Sequence, residues 1–217
     1  MPPRIKICGI TSLTDARAAV KAGADALGFV FCEASPRFIQ PEAAAAITPH
    51  LPRRILRVGV FVDALQETIL RVAATCRLDA LQLHGEESPD FCDVLVPLQV
   101  WKAFRVRSRD VLGQLPAYRA STAAWLLDSY TEGQAGGTGA TFQWDLAVEA
   151  RKLGHPIVLA GGLTPENVAE AVRQVQPACV DVSSGVELAP GKKDAEKIRR
   201  FIAAVRSISP EAPSRPA

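Results

Sequence analysis

The chain has 217 residues, 48% of them hydrophobic and 22% charged, and a formal net charge of +2. Its 25 Lys and Arg are spread along the sequence, which argues against nucleic-acid binding, and no apolar run reaches the roughly 18 residues that span a bilayer. Five widely spaced cysteines (Cys8, Cys32, Cys76, Cys92 and Cys179) with no C-x-x-C pair fit neither a disulfide framework nor a zinc site, so a cytoplasmic, metal-free protein is expected.

Taken in order, Arg4–Cys8 reads as a first strand, with Ile5 and Ile7 on one face and Arg4, Lys6 and Cys8 on the other. Leu13–Ala22 carries apolar residues at helical spacing, with Gly23 as its cap. Ala26–Phe31 is a compact apolar run, the mark of a strand buried on both faces. After a Ser35-Pro36-Arg37-Phe38 loop, Pro41 opens a helix to Ile47. Strands are expected at Arg57–Val62, Ala80–His84, Val100–Phe104 and Trp125–Asp128, followed in turn by helices at Leu65–Cys76, Ser88–Leu95, Val111–Tyr118 and Leu146–Leu153. A long loop with Gly133 and Gly136–Gly139 precedes the last of these helices. Strand Pro156–Ala160 with helix Pro165–Val175, and strand Cys179–Ser183 with helix Ala195–Val205, complete the pattern. Eight strands alternating with eight helices, at roughly 20–30 residues per unit, are the arithmetic of a (β/α)₈ TIM barrel. One barrel domain is expected over residues 1–208, with a disordered Pro-rich tail at 209–217.

Barrels place their chemistry at the carboxyl ends of the strands, which promotes Cys8, Arg37, His84 and Asp128. Cys8 at a strand end can reach a ligand, or it is a small buried hydrophobe. Asp128 closes an apolar strand and either caps a turn or acts as an acid whose pKa is raised by desolvation. Arg37 can fork onto a substrate carboxylate or lie solvated. Gln82 and His84 share one strand face, and His84 is either a ligand contact or a hydrogen-bonded structural histidine. Lys6 and Asp181, with the inward parity of Cys8 and Ser183, read as an internal ion pair with a structural role. Gly161-Gly162 and Ser184-Gly185 end the last two strands, where exposed backbone N–H groups suit a phosphate; otherwise they are tight turns.

Together these residues resemble phosphoribosylanthranilate isomerase, a barrel enzyme of tryptophan biosynthesis. The matching stretches, in the family's order, are Lys6–Thr11, Ser35–Arg37, Gln82–Gly85, Leu126–Asp128, Gly136–Gly139, Leu159–Leu163, Asp181–Glu187 and Pro190–Asp194. Gln143 before Trp144 departs from the family, which more often has an acidic residue or Asn there. The resemblance implies an Amadori rearrangement of N-(5-phosphoribosyl)anthranilate to the 1-amino-1-deoxyribulose phosphate. By that analogy Asp128 is the general acid at the ribose ring oxygen, Cys8 is the general base at C2, and Arg37 holds the anthranilate carboxylate. His84, Gly161, Gly162, Ser184 and Gly185 are expected to contact this phosphorylated small-molecule substrate. The iminium nitrogen is the electron sink, so no metal or organic cofactor is required. A monomer or a homodimer is expected, with no nucleic-acid or membrane partner. A related sugar-phosphate isomerase of the histidine pathway would share the phosphate loops but carry aspartate at the end of strand one. A non-catalytic phosphate-binding barrel would not need a thiol facing a carboxylate.

Overall fold

Eight parallel strands, hydrogen-bonded in sequence order and closed on themselves, form the centre of the computed structural model, which describes residues 2–128 and 140–208. They are β1 (Arg4–Cys8), β2 (Ala26–Val30), β3 (Leu56–Phe61), β4 (Ala80–Leu83), β5 (Gln99–Arg105), β6 (Ala124–Asp128), β7 (Ile157–Ala160) and β8 (Cys179–Val182). Closure pairs β1 with β8, setting Lys6 opposite Asp181 and Ile7 opposite Val182. The expected barrel is the fold adopted, and closure gives its eight strands neighbours on both sides.

Strand alternation sorts side chains into two cores. Outward residues such as Ile5, Ile7, Leu27, Phe29, Leu81, Trp125, Leu127 and Val180 meet the helices in one continuous apolar layer. Inward residues fill the barrel in tiers. Ala26, Val58, Ala80, Trp101, Leu126, Val158 and Cys179 make an apolar floor, while Cys8, Val30 and Val60 form a second cluster. Lys6, Gln82 and Asp181 supply a buried polar tier, hydrogen-bonded to one another within the barrel. A polar layer in a barrel interior is destabilising unless its groups are paired, and here the ammonium bonds both the amide and the carboxylate.

The covering helices are α1 (Leu13–Ala22), α2 (Pro41–Ile47), α3 (Gln66–Cys76), α4 (Pro89–Asp93), α5 (Ala140–Lys152), α6 (Val168–Val175) and α7 (Ala195–Arg206). Ser12 caps α1 by accepting from the Asp15 N–H, and Gly23 ends it in the left-handed region as expected. On α6, Val168, Ala171, Val172 and Val175 are buried at i, i+3, i+4 and i+7 spacing. Each fully buried valine on that stripe contributes roughly 1.5–3 kcal/mol relative to exposure.

Several elements differ from expectation. The helix expected at Val111–Tyr118 is instead two 3₁₀ turns, Arg109–Gly113 and Leu115–Tyr118. Gly113 weakens helix propensity there, and Pro116 brings no N–H to an α-helical ladder. Helix α4 stops at Asp93, short of Leu95. Helix α6 begins at Val168 rather than Pro165, because the Asn167 side chain accepts the Thr164 N–H (2.8 Å) and folds that segment into a turn. Beyond β8 lies an unexpected small hairpin, β9 (Glu187–Ala189) with β10 (Lys192–Lys193), closed around Pro190-Gly191. The expectations for the Gly133–Gly139 loop, for the side chain of Gln143 and for the tail at 209–217 lie outside the described residues.

Candidate active site

A cavity of about 390 Å³ opens at the carboxyl ends of the strands. Of the eight residues expected to act on or contact the substrate, seven line it: Cys8, Arg37, His84, Asp128, Gly161, Gly162 and Ser184. They come from six strand ends, and the volume suits a small molecule. Gly185 is the exception. A Cβ there would fall 1.9 Å from the Leu163 carbonyl oxygen, so this glycine lets the β8 loop approach the β7 loop. Among the described residues, no group of three or more His, Cys, Asp or Glu side chains is arranged to hold a metal ion.

Cys8 ends β1 with its side chain inward and buried. Gly28, opposite it on β2, makes room: a Cβ at that position would lie 2.7 Å from Cys8 Sγ. Burial pushes the thiol pKa up, the Lys6 ammonium pulls it down and Asp181 raises it again, leaving it above the ordinary thiol range. Lys6 is fully buried, and its Nζ donates to Asp181 Oδ2 (2.9 Å) and Gln82 Oε1 (2.8 Å). Burial alone would lower the Lys6 pKa, but Asp181 and Cys8 outweigh it and raise it, so Lys6 stays charged. The ion pair expected from strand parity is thus present. It is more than a strut, because Asp181 also lines the cavity and its Oδ1 has no hydrogen-bond partner among the described residues.

Asp128 ends β6, and its Oδ2 lies 3.3 Å from His84 Nε2. About a fifth of each of these two side chains reaches solvent, so burial is deepest around Cys8 rather than around Asp128. His84 Nδ1 lies 2.9 Å from Gln82 Nε2, which makes the histidine a hydrogen-bonded member of the cavity wall. The turn behind it is clamped. Glu87 accepts from the Gly85 N–H (2.9 Å) and pairs with Lys102 (3.2 Å), whose Nζ also donates to the Gly85 carbonyl (2.7 Å).

Arg37 sits where the sequence placed it, on the loop after β2, but one edge of its fork is committed within the protein. Its Nε and Nη2 donate to Glu187 Oε1 (2.9 Å) and Oε2 (2.8 Å). Glu187 also accepts from Lys193 Nζ (2.7 Å), which lies 3.4 Å from Ser183 Oγ. Burial raises the Glu187 carboxyl pKa, yet hydrogen bonds from Arg37 and Lys193 hold it below the usual carboxylate range. The hairpin after β8 therefore fixes the guanidinium at the mouth through Glu187 and Lys193, two residues whose role the sequence alone does not show. Their signal was the Pro190-Gly191 turn, which folds Lys193 back beside Glu187.

Gly161 and Gly162 both adopt positive φ (82° and 62°), a backbone that favours glycine. Among the described residues, nothing lies within 4 Å of a Cβ built on Gly162. Asn167 holds the loop by donating from Nδ2 to the Gly162 carbonyl (2.9 Å). Ser184 begins a 3₁₀ turn after β8 beside it.

With this geometry established, comparison with known proteins is decisive. The family model described as N-(5'phosphoribosyl)anthranilate (PRA) isomerase matches residues 5–204. The chain belongs to the phosphoribosylanthranilate isomerase family. It is 58% identical over 206 residues to the N-(5'-phosphoribosyl)anthranilate isomerase of Geobacter sp. (strain M21), covering 95% of this chain and 99% of that one. The isomerase of Geobacter sulfurreducens is 55% identical over 199 residues, 92% of this chain and 96% of its own. Among solved structures, the isomerase of Thermotoga maritima superposes with a TM-score of 0.88 at 45% identity, covering 95% and 100% of the two chains. Another isomerase structure, 42% identical with a TM-score of 0.85 over 95% of this chain and 100% of that one, is a complex with reduced 1-(o-carboxyphenylamino)-1-deoxyribulose 5-phosphate. Thiamine phosphate pyrophosphorylase of Pyrococcus furiosus, 18% identical with a TM-score of 0.68 over 94% and 95% of the chains, shares the fold alone.

Proposed function

We propose that the chain catalyses the Amadori rearrangement of N-(5-phosphoribosyl)anthranilate, with Asp128 as general acid and Cys8 as general base. The observation that carries this reading is that Cys8 on β1 and Asp128 on β6 line one cavity, three strands apart around an eight-stranded barrel. A sugar held between them meets acid and base on different sides.

Asp128 protonates the furanose ring oxygen. The C1–O bond then breaks as the anilino nitrogen supplies its lone pair, giving an iminium ion and a free 4-hydroxyl. Cys8 removes the C2 proton, and those electrons flow into the C1–C2 bond and onto nitrogen, forming an enolamine. Loss of the enol proton and gain of one at C1 give the ketone, so no net oxidation occurs and the cation itself is the electron sink. The base must be a thiolate. Burial alone opposes that, and Lys6 and Lys193 oppose burial. The iminium adds a positive charge only after Asp128 has acted, which favours the thiolate form of Cys8 at the step that uses it and acidifies the C2–H bond.

Arg37, fixed by Glu187, faces the anthranilate carboxylate, and His84 contacts the substrate beside Asp128. Backbone N–H groups of the Gly161-Gly162 and Ser184 loops receive the phosphate, and Gly185 acts by holding those loops together. The reading carries with it a cytoplasmic enzyme acting as a monomer or homodimer on a phosphorylated small molecule. Five free cysteines suit a reducing compartment. The test is complementation of a tryptophan auxotroph lacking this one step. Growth without tryptophan is expected, and failure by a well-expressed, folded chain would contradict the assignment.

A further inference from the structure

Four side chains on three strands form a line of contacts across the mouth of the barrel, from Lys6 on β1 through Gln82 and His84 at β4 to Asp128 on β6. The direction of every proton in that line is decided by its first member. Lys6 Nζ is a donor only, and it lies 2.8 Å from Gln82. The amide atom it meets must therefore be the oxygen, which turns the Gln82 NH₂ toward His84. That NH₂ group is likewise only a donor, so His84 Nδ1, 2.9 Å away, must accept. A neutral imidazole that accepts at Nδ1 carries its proton on Nε2, the nitrogen 3.3 Å from Asp128 Oδ2.

We propose that Gln82 is a positioning residue for the reaction, setting the His84 tautomer so that an Nε2–H faces the Asp128 carboxyl group. Gln82 is 2% exposed and Lys6 0%, so the contact that sets the amide orientation is shielded from water. The amide cannot rotate without bringing two donors together at Lys6, which makes its orientation a consequence of the buried ammonium. The clamp of Glu87 and Lys102 on the following turn keeps His84 at the distance where this choice matters. For catalysis, an Nε2–H donor beside Asp128 favours the carboxylate left after proton transfer to the ring oxygen. A lone pair there would repel it. This last step rests on Asp128 being the general acid.

The tautomer is read directly by nitrogen-15 NMR of histidine-labelled protein at pH 8. The three histidines are His50, His84 and His155, and the His84 signals are identified by their loss in His84→Asn. The wild type should show His84 protonated at Nε2 with an unprotonated Nδ1. Gln82→Glu presents a carboxylate to both Lys6 and Nδ1, so the ring should become Nδ1-protonated or doubly protonated. Gln82→Met removes the donor while keeping similar volume, and it should give mixed tautomers in a protein with a near-native melting curve. Both variants should lose tenfold or more in kcat, as misoriented tautomers do, with KM changed less than threefold. An Nδ1–H tautomer in the wild type, an unchanged tautomer in both variants, or altered tautomers with undiminished kcat would each overturn the proposal. Because the spectrum is independent of turnover, undiminished kcat in Asp128→Asn would instead remove the acid assignment and leave the tautomer result standing.

Discussion

Replacing Arg37 with alanine separates two roles that the structure gives to one side chain. Its Nε and Nη2 grip Glu187 at 2.9 and 2.8 Å, while the residue also lines the cavity. Glu187 keeps Lys193 at 2.7 Å, so the substitution does not strand a buried carboxylate without a counter-charge. The stability loss should therefore stay near the value for charged hydrogen bonds, roughly 1.5–3 kcal/mol, below the 3–5 kcal/mol of a broken isolated buried pair. For a chain of this length each kcal/mol lowers Tm by about 2–4 °C, giving an expected drop of about 3–12 °C. The effect on catalysis is distinct. A carboxylate clamp acts on ground and transition states alike, so KM should rise about tenfold to a hundredfold with kcat nearly unchanged. Arg37→Lys should not rescue it, since a point charge cannot both hold Glu187 by two bonds and face the ligand. Steady-state kinetics at a temperature where both proteins are folded measures the split. A decarboxylated substrate analogue should bind wild type and Arg37→Ala equally. If the variant still prefers the carboxylated compound, the clamp lies elsewhere.

Gly162→Val should weaken inorganic phosphate binding at least tenfold, whereas Ser184→Ala should leave it within about twofold, because the proposed donors are main-chain N–H groups. Gly162 also has φ 62°, so a melting-temperature loss from about 1 kcal/mol of left-handed strain must be measured alongside; unchanged phosphate titration would move the anion site. Gly185→Ala should destabilise more than Gly162→Ala, since its Cβ meets the Leu163 carbonyl at 1.9 Å while that of Gly162 meets none of the described residues within 4 Å; equal Tm values would contradict this. Burial raises the thiols of Cys76 and Cys92 to about 11. A raised folded pKa means that the folded chain holds more protons, so stability is greatest below the unfolded thiol value of about 8.5 and is lost as pH rises toward 11. Tm measured from pH 8 to 11 should fall, and a Cys76→Ala, Cys92→Ala double variant should show a shallower slope; an equal slope would refute the cause.

The barrel was legible because strands buried on both faces read as short apolar runs, as Ala26–Val30 does, and because cap residues such as Ser12 and Gly23 act locally. The site's membership was legible for a related reason: a barrel collects strand ends, so position within a strand already places Cys8 and Asp128 at one rim. What could not be read is what each group is bonded to. The Arg37–Glu187 pair joins residues 150 positions apart, and the Lys6–Gln82 contact joins residues 76 apart. Those partners depend on the closed register of the strands and on a hairpin whose strands are three and two residues long, too short to carry a period. The two 3₁₀ turns after β5 depart from the expected helix because Gly113 and Pro116 break a regular α-helical ladder there. For Gly185, the sequence points to the right loop, whereas the Leu163 carbonyl pressed against it follows only from the way the β7 and β8 loops meet in space.

The most direct test of the account is single-turnover and steady-state kinetics of purified wild type, Cys8→Ala and Asp128→Asn with N-(5-phosphoribosyl)anthranilate. Wild type should convert it, and each variant should lose at least a hundredfold in kcat, the scale of general acid–base catalysis, while its melting curve stays close to native. Near-normal turnover by either folded variant would contradict the assignment of acid and base.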